Sequence, residues 1–378
     1  MPGFELINKK EIQAVNSIFK DGGVLFAHGF EKIRKKYHVR EFEKKVCIYF
    51  KCKHALAVTS GTAAIKIALK ALGIKPGDEV ITQAFNFIAT IEAILDVGAK
   101  PVLVNVDKTL NMDIKDLKRK ITKKTKVILP VHMLGYACDM NNIKKICKKN
   151  KIKLLEDNCE SIGGKYKKKL LGTIGDIGIL SLDFGKTITT GEGGLILTNN
   201  SRYYSFCKQY HDHGHRNIKN LSRGNDKVNI PGFNYRMTEI QGAIGKVQLK
   251  KLNFLLKDNE KKFKILEKNI FNFNHREMPK NSQSNFDNFI FYVKNNNEKS
   301  KILKILKKYN IGTKNLPDAI KWHCAYYWKH IFKKKDLKYV QKTKKILNTA
   351  IAIPIFFKKS ATLYKKLSIE INKINEII

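Results

Sequence analysis

The stretch Ala55-Leu56-Ala57-Val58-Thr59-Ser60-Gly61-Thr62-Ala63-Ala64-Ile65-Lys66-Ile67-Ala68-Leu69 decides the fold. Its first four residues are small and apolar and read as a strand. Ser60-Gly61-Thr62 ends that strand and offers a helix cap, and apolar positions then recur with helical spacing over 63–72. Outward from there the alternation continues. Pro76-Gly77-Asp78 is a turn, 79–82 a strand and 87–97 a helix; 101–106, 127–132 and 152–156 read as strands, with helices over 114–121 and 140–149 between them. Strands separated by helices of this length need crossover connections. The class is therefore α/β, with a mainly parallel sheet covered on both faces.

After Asp157 the pattern changes. Residues 176–182 and 194–198 read as two strands flanking a Gly-containing loop that carries Lys186, and 235–254 as a long amphipathic helix. Beyond about residue 257 lysine and asparagine become denser, which places a smaller α+β C-terminal domain at 257–378 after a large domain at 1–256. Strands are expected there over 288–293 and 351–355, and helices over 299–309 and 336–347.

The formal charge is +40, a field of the size that accompanies nucleic-acid binding or an anionic substrate. Only eight of the 73 basic residues are arginine, whereas phosphate and base recognition lean on arginine's bidentate fork. A lysine-favouring composition explains the charge better than a nucleic-acid partner, and the field would still attract phosphorylated or carboxylated substrates. No apolar run reaches the roughly 18 residues of a membrane span, and no basic-then-apolar leader opens the chain, so no membrane association and a cytoplasmic location are expected. The seven cysteines are scattered and never spaced Cys-x-x-Cys, which fits reduced thiols and no metal framework.

In a parallel sheet, ligands bind where strand-to-helix loops converge, and several polar residues fall at such ends. Ser60-Gly61-Thr62 is either a plain helix cap or a phosphate cradle at a positive helix end. Asp157 closes an apolar strand, either as a cap or as a carboxylate beside a ligand ring nitrogen. Lys186 lies among hydroxyls and glycines in Ser181-Leu182-Asp183-Phe184-Gly185-Lys186-Thr187-Ile188-Thr189-Thr190-Gly191-Glu192-Gly193-Gly194, where burial is expected to lower its pKa and make it a Schiff-base nucleophile. His211-Asp212-His213-Gly214-His215-Arg216 has histidines at i, i+2 and i+4 but no evident fourth ligand, which argues against zinc.

Taken together, these segments resemble the DegT/DnrJ/StrS family of sugar aminotransferases. The resemblance is carried by Ser60-Gly61-Thr62-Ala63-Ala64, Phe85-Asn86-Phe87-Ile88-Ala89-Thr90, Val131-His132-Met133-Leu134-Gly135, Glu156-Asp157 with Gly175-Asp176, the 181–194 segment, and Gly232-Phe233-Asn234-Tyr235-Arg236-Met237 followed by Gln241 and Gln248-Leu249. Order and spacing match over most of the chain. The resemblance implies an aspartate-aminotransferase-like fold type I, pyridoxal 5'-phosphate as cofactor, and a homodimer with a shared active site.

By the same resemblance Lys186 holds the cofactor as a Schiff base and moves the proton, Asp157 pairs with the ring nitrogen, and Phe87 stacks on the ring. Gly61, Thr62 and Ser181 hold the phosphate, and Asn234 reaches it from the partner subunit. His213, His215, Arg236 and His323 are candidate substrate contacts. Glu160 departs from the pattern, standing where many relatives have glutamine or histidine near the cofactor's phenolic oxygen. A carboxylate there is expected to raise the pKa of the cofactor linkage. Dehydratases of this fold replace the lysine by histidine, so Lys186 favours transamination, with glutamate as donor.

Most relatives act on nucleotide-linked 4-keto-6-deoxyhexoses. Met1-Pro2-Gly3-Phe4-Glu5-Leu6, Gly23-Val24-Leu25-Phe26, the 211–215 stretch with Arg223-Gly224-Asn225-Asp226, and Trp322-His323 with Trp328-Lys329-His330 are similar instead to a branch that aminates the terminal aldehyde of an eight-carbon keto-sugar acid used in lipopolysaccharide. The readings set against transamination are a basic nucleic-acid-binding protein and a cofactor-binding protein without catalysis.

Overall fold

The computed structural model describes residues 2–218, 221 and 223–375; Met1 and positions 376–378 of the expected C-terminal domain lie outside the described residues. Among these, the central sheet is seven-stranded: β1 (His54–Val58), β2 (Glu79–Gln83), β3 (Lys100–Val104), β4 (Thr125–Leu129), β5 (Lys153–Asp157), β6 (Ile177–Ser181) and β7 (Gly194–Thr198), in the spatial order β1-β7-β6-β5-β4-β2-β3. The pairs β2/β3, β2/β4, β4/β5 and β5/β6 are parallel, while β7 runs antiparallel to both β1 and β6. The expected α/β architecture is what forms.

Helices α1 (Lys9–Phe19), α2 (His38–Phe50), α3 (Gly61–Ala71), α4 (Ala89–Asp96), α5 (Glu239–Asn269) and α6 (Ala361–Asn372) cover this sheet and its neighbour. Because side chains alternate along a strand, β1 feeds two cores. Leu56 and Val58 join Ala64, Ile67 and Ile91 on one face, and Ala55 and Ala57 join Val46, Phe50 and Leu252 on the other. Burial on both faces explains why these strands read as continuous apolar runs. No helix among the described residues is long and apolar enough to cross a membrane.

Helix α5 is the largest departure from the sequence expectation. It starts at a capping box, with Gln241 N donating to Thr238 Oγ1 and Thr238 N donating to Gln241 Oε1 at 2.8 Å. It then runs 31 residues to Asn269, past the expected end at 254 and through the domain boundary expected at 257. The lysine-rich turn that suggested a boundary is continuous helix: Lys264 pairs with Glu260 on the solvent side, while Lys262 is buried, paired with Asp258 and donating to the carbonyls of Phe356 and Phe357. Gly242 and Gly245 in its first half lie against Val39 and Phe42 of α2, whereas Phe263 and Leu266 in its second half belong to a separate core.

That second core holds Phe289, Phe291, Ile302, Ile353, Tyr364 and Leu367 around an antiparallel sheet of Asn274–His275, β8 (Asn288–Tyr292) and β9 (Ala350–Pro354). The helix expected over 336–347 is two, Lys334–Tyr339 and Gln341–Thr349, meeting at Val340. The C-terminal part reaches back to the large sheet. Asn86 N and Ile88 N donate to the carbonyls of His323 and Trp322, and Ala325 N donates to Ala84 O, so 322–325 is sewn beside the segment that follows β2.

Candidate active site

A cavity of about 400 Å³ opens at the carboxyl ends of β1, β5 and β6, where an open parallel sheet places its ligands. It is lined by Ser60, Gly61, Thr62, Phe87, Asp157, Glu160, Ser181, Lys186 and His323, all bar Ser60 singled out from the sequence as site residues, together with Thr90, Cys159 and Asn315. Asn315 lies in a loop that Lys314 N, donating to Ala352 O, ties to β9. Nothing local in the sequence marks that residue, because only the folding of the C-terminal part onto β2 brings it to the cavity.

The phosphate end is built by the turn from β1 into α3. Ser60 Oγ accepts from Ala63 N at 3.1 Å, and Ala64 N makes the first intrahelical bond to Ser60 O. Gly61 and Thr62 precede that bond, so their N–H groups belong to the unsatisfied first turn where the helix dipole favours an anion. A Cβ at Gly61 would stand 2.9 Å from Ser181 Cβ and 3.2 Å from Cys159 Sγ. Only glycine lets the helix start approach β6 this closely, and the approach brings Ser181 beside the helix end.

The opposite wall is anionic. Glu156, fully buried, accepts from His132 Nε2 at 3.2 Å and from the N–H groups of Gly172, Ile174 and Gly175. Cys138 N donates to His132 Nδ1, which fixes the imidazole with its hydrogen on Nε2. This anchorage holds the end of β5 still, and the next residue, Asp157, turns into the cavity. Its Oδ1 accepts from Cys159 N at 3.1 Å and its Oδ2 from Thr90 Oγ1 at 3.2 Å. Burial pushes the Asp157 carboxyl up, opposed by the Cys159 bonds and by the charge of Lys186. A cationic group beside it would hold it ionised.

Lys186 Nζ lies 2.7 Å from Glu160 Oε1, and Asn315 Nδ2 donates to Glu160 Oε2 at 3.3 Å. The lysine expected to titrate low is here held high. Burial, the largest single influence, pulls its pKa down, but Glu160 foremost, with Cys159 and Asp183, together raise it. Burial alone would raise Glu160, yet Lys186, Lys314 and His323 together bring it below the usual carboxylate range. His323 Nδ1 donates to Ala319 O at 2.9 Å, leaving Nε2 as the ring's acceptor, and its ring stands 5.3 Å from the half-exposed Phe87.

Asn234, His213, His215 and Arg236 do not line this cavity. Asn234 bridges Asp212 through the backbone, and Asp212 gathers a knot of charges. Arg236 Nη1 donates to it at 2.7 Å, Arg223 Nη1 at 2.6 Å and Asn217 Nδ2 at 2.8 Å, with His28 Nε2 at 3.7 Å. His215 Nδ1 lies 3.8 Å from Asp226. Among the described residues no group of three or more His, Cys, Asp or Glu forms a metal cluster.

Residues 7–362 match the model of the DegT/DnrJ/EryC1/StrS aminotransferase family. The chain is 39% identical over 240 residues to the GDP-perosamine synthase of Escherichia coli O157:H7, covering 62% of this chain and 64% of that protein; it thus spans just under two thirds of that relative's length. The fold superposes on the aminotransferase from Psychrobacter cryohalolentis with a TM-score of 0.85 at 25% identity, over 97% of each chain. It also superposes on the E. coli GDP-4-keto-6-deoxy-D-mannose-3-dehydratase with bound hydrated PLP, with a TM-score of 0.80 at 24% identity over 96% of this chain and 97% of that one.

Proposed function

The chain belongs to the DegT/DnrJ/EryC1/StrS aminotransferase family, whose aminotransferases depend on pyridoxal phosphate, and on that premise we propose that it transfers an amino group from glutamate onto a keto- or aldehyde-sugar. The observation that carries the reading is the convergence, in one cavity, of a half-buried lysine, a buried carboxylate and the open first turn of a helix. These residue types fit the cofactor at its aldehyde, ring nitrogen and phosphate. When bound, the cofactor supplies a carbonyl that captures amines and a protonated ring that draws electrons from the carbon bearing them.

The chain's own residues do the rest. Lys186 Nζ would hold the cofactor, and as a free amine it is the base placed to take a proton from the donor carbon and return one to the sugar carbon. Asp157 would keep a ring nitrogen protonated, Gly61, Thr62 and Ser181 would bind the phosphate, and Phe87 would offer an aromatic face to the ring. Glu160 pairs with the ammonium of Lys186 and would disfavour loss of a proton beside it. In a homodimer Asn234 would serve the partner's cavity, a role consistent with its absence from its own. The dehydratase neighbour shares the fold, so the choice of transamination rests on a lysine at 186 and not on shape.

The acceptor is either a nucleotide-linked 4-keto-6-deoxyhexose, which the E. coli relative's name supports, or the aldehyde of an eight-carbon keto-sugar acid, which the sequence likeness at 1–6, 211–215 and 322–330 supports. Purified protein loaded with pyridoxal phosphate should lose its visible band when glutamate is added. Mass analysis after adding each sugar then identifies the aminated product. A band that glutamate leaves unchanged contradicts transamination, and failure of added pyridoxal phosphate to give any coloured protein, together with salt-sensitive retention of RNA or DNA, would favour a nucleic-acid protein.

A further inference from the structure

The peptide carbonyl of Lys186 is held from an unexpected quarter. Gly3 N donates to Lys186 O at 3.2 Å, and a Cβ on Gly3 would stand 2.5 Å from that oxygen and 3.2 Å from the Ile188 backbone. One residue on, the Phe4 ring stacks on Phe184 with centroids 4.9 Å apart and planes 17° from parallel. Glu5 then turns the other way: its Oε2 accepts from Phe357 N at 2.7 Å and its Oε1 from Lys358 N at 3.4 Å, just beyond β9. Lys251 Nζ of α5 donates to Leu6 O at 2.6 Å and pairs with Glu11. Glu11 accepts from Gln248 Nε2, whose Oε1 accepts from Thr189 N.

We propose that residues 3–6 are a strap that positions Lys186. The strap touches the lysine loop at 184, 186 and 188 and is fastened to the C-terminal part at 357–358 and to α5 at 251. The loop's own bonds, Lys186 N to Asp183 O and Gly185 N to Asp183 Oδ1, fix it toward β6 but leave the Lys186 carbonyl for the strap. Gly3 is required by the close approach to that carbonyl, and Phe4 supplies the apolar contact that keeps the approach closed. Held so, the backbone places Nζ on Glu160 and over the cavity. Gly3 and Phe4 are positioning residues, acting through Lys186, and this role rests on the proposed use of that lysine.

Two readouts keep the strap and the proposed reaction apart. In cofactor-free protein, Gly3→Ala and Phe4→Ala should speed amide hydrogen exchange over 183–190 by roughly tenfold or more while the sheet's exchange and the thermal midpoint hold. In the same proteins, the rate at which added pyridoxal phosphate becomes borohydride-fixed to Lys186 should fall roughly tenfold, since small misplacement of a reacting group is costly. Phe4→Tyr should restore both. Unchanged exchange in both alanine variants overturns the strap whatever the cofactor does, and so does a capture rate that falls only in step with the folded fraction. If wild-type protein captures no cofactor, the proposed reaction fails, and the exchange comparison still decides the strap.

Discussion

Two regions of this molecule are crowded with charged and histidine side chains, and they have opposite architectures. Around Lys186 the groups converge on a cavity, lined by Asp157, Glu160, Lys186 and His323. Around Asp212 they converge on one another, with Arg223, Arg236 and Asn217 spending their donors on a single fully buried carboxylate. A cluster that closes on itself stabilises a fold; a cluster arranged around a void binds something. Residue type alone does not tell them apart, and both regions read from the sequence as sites.

The contrast breaks most directly at its two centres. Lys186→Ala should lower turnover by 10²–10⁴-fold or more, because it removes both the attachment point and the proton carrier, with a smaller urea-stability loss than at Asp212 because Lys314, His323 and Asn315 still face Glu160; turnover within tenfold of wild type would sink the assignment. Asp157→Asn should cost roughly 10²–10³-fold, the scale of one preorganised electrostatic partner, measured as the half-reaction with glutamate. Asp212→Asn should behave in reverse. It leaves Arg223 and Arg236 facing each other without their anion and should cost about 3 kcal/mol of stability in urea, with Lys186 still capturing cofactor. Loss of capture at unchanged stability would show that the knot is part of the site.

Two smaller effects sharpen the same comparison. Glu160→Gln should move the pH midpoint of the loaded protein's visible band downward by about one unit, the shift expected when a neighbouring anion is removed; an unmoved midpoint contradicts the role given to Glu160. In the knot, burial depresses His28 to about 3 and His211 to about 4. Below the unfolded value near 6.5 the unfolded chain takes up protons that the folded one refuses. Each histidine therefore contributes stability above that pH which is lost as pH falls, by about 1.4 kcal/mol per unit. A thermal midpoint that stays flat from pH 7 to 5 would contradict their burial as neutral rings.

The large-domain strands and helices were legible because burial on both faces gives continuous apolar runs and because caps such as Ser60 and turns such as Pro76-Gly77-Asp78 mark the joints. Gly61, Thr62 and Asp157 were legible at strand ends for the same reason, whereas Phe87, Glu160, Ser181 and His323 stood out only through the family resemblance. The later turns of helix α5 are lysine-rich on the solvent side, which hides their helical period in the sequence, while Phe263 and Leu266 still face a core. Asn315 was missed because it reaches the cavity only through the packing of β9 and its loop. The pKa of Lys186 was read with the wrong sign: burial was visible in the sequence, but the 2.7 Å ion pair with Glu160, 26 residues away, was not.

The central claim is that Lys186, alone among the chain's many lysines, joins covalently to the cofactor's aldehyde. Purified protein incubated with pyridoxal phosphate, reduced with borohydride, digested and mapped by mass spectrometry tests it. The account predicts one pyridoxyl group per chain, on the peptide containing Lys186 and absent from Lys186→Ala. Label spread over surface lysines, or none on that peptide, would contradict it.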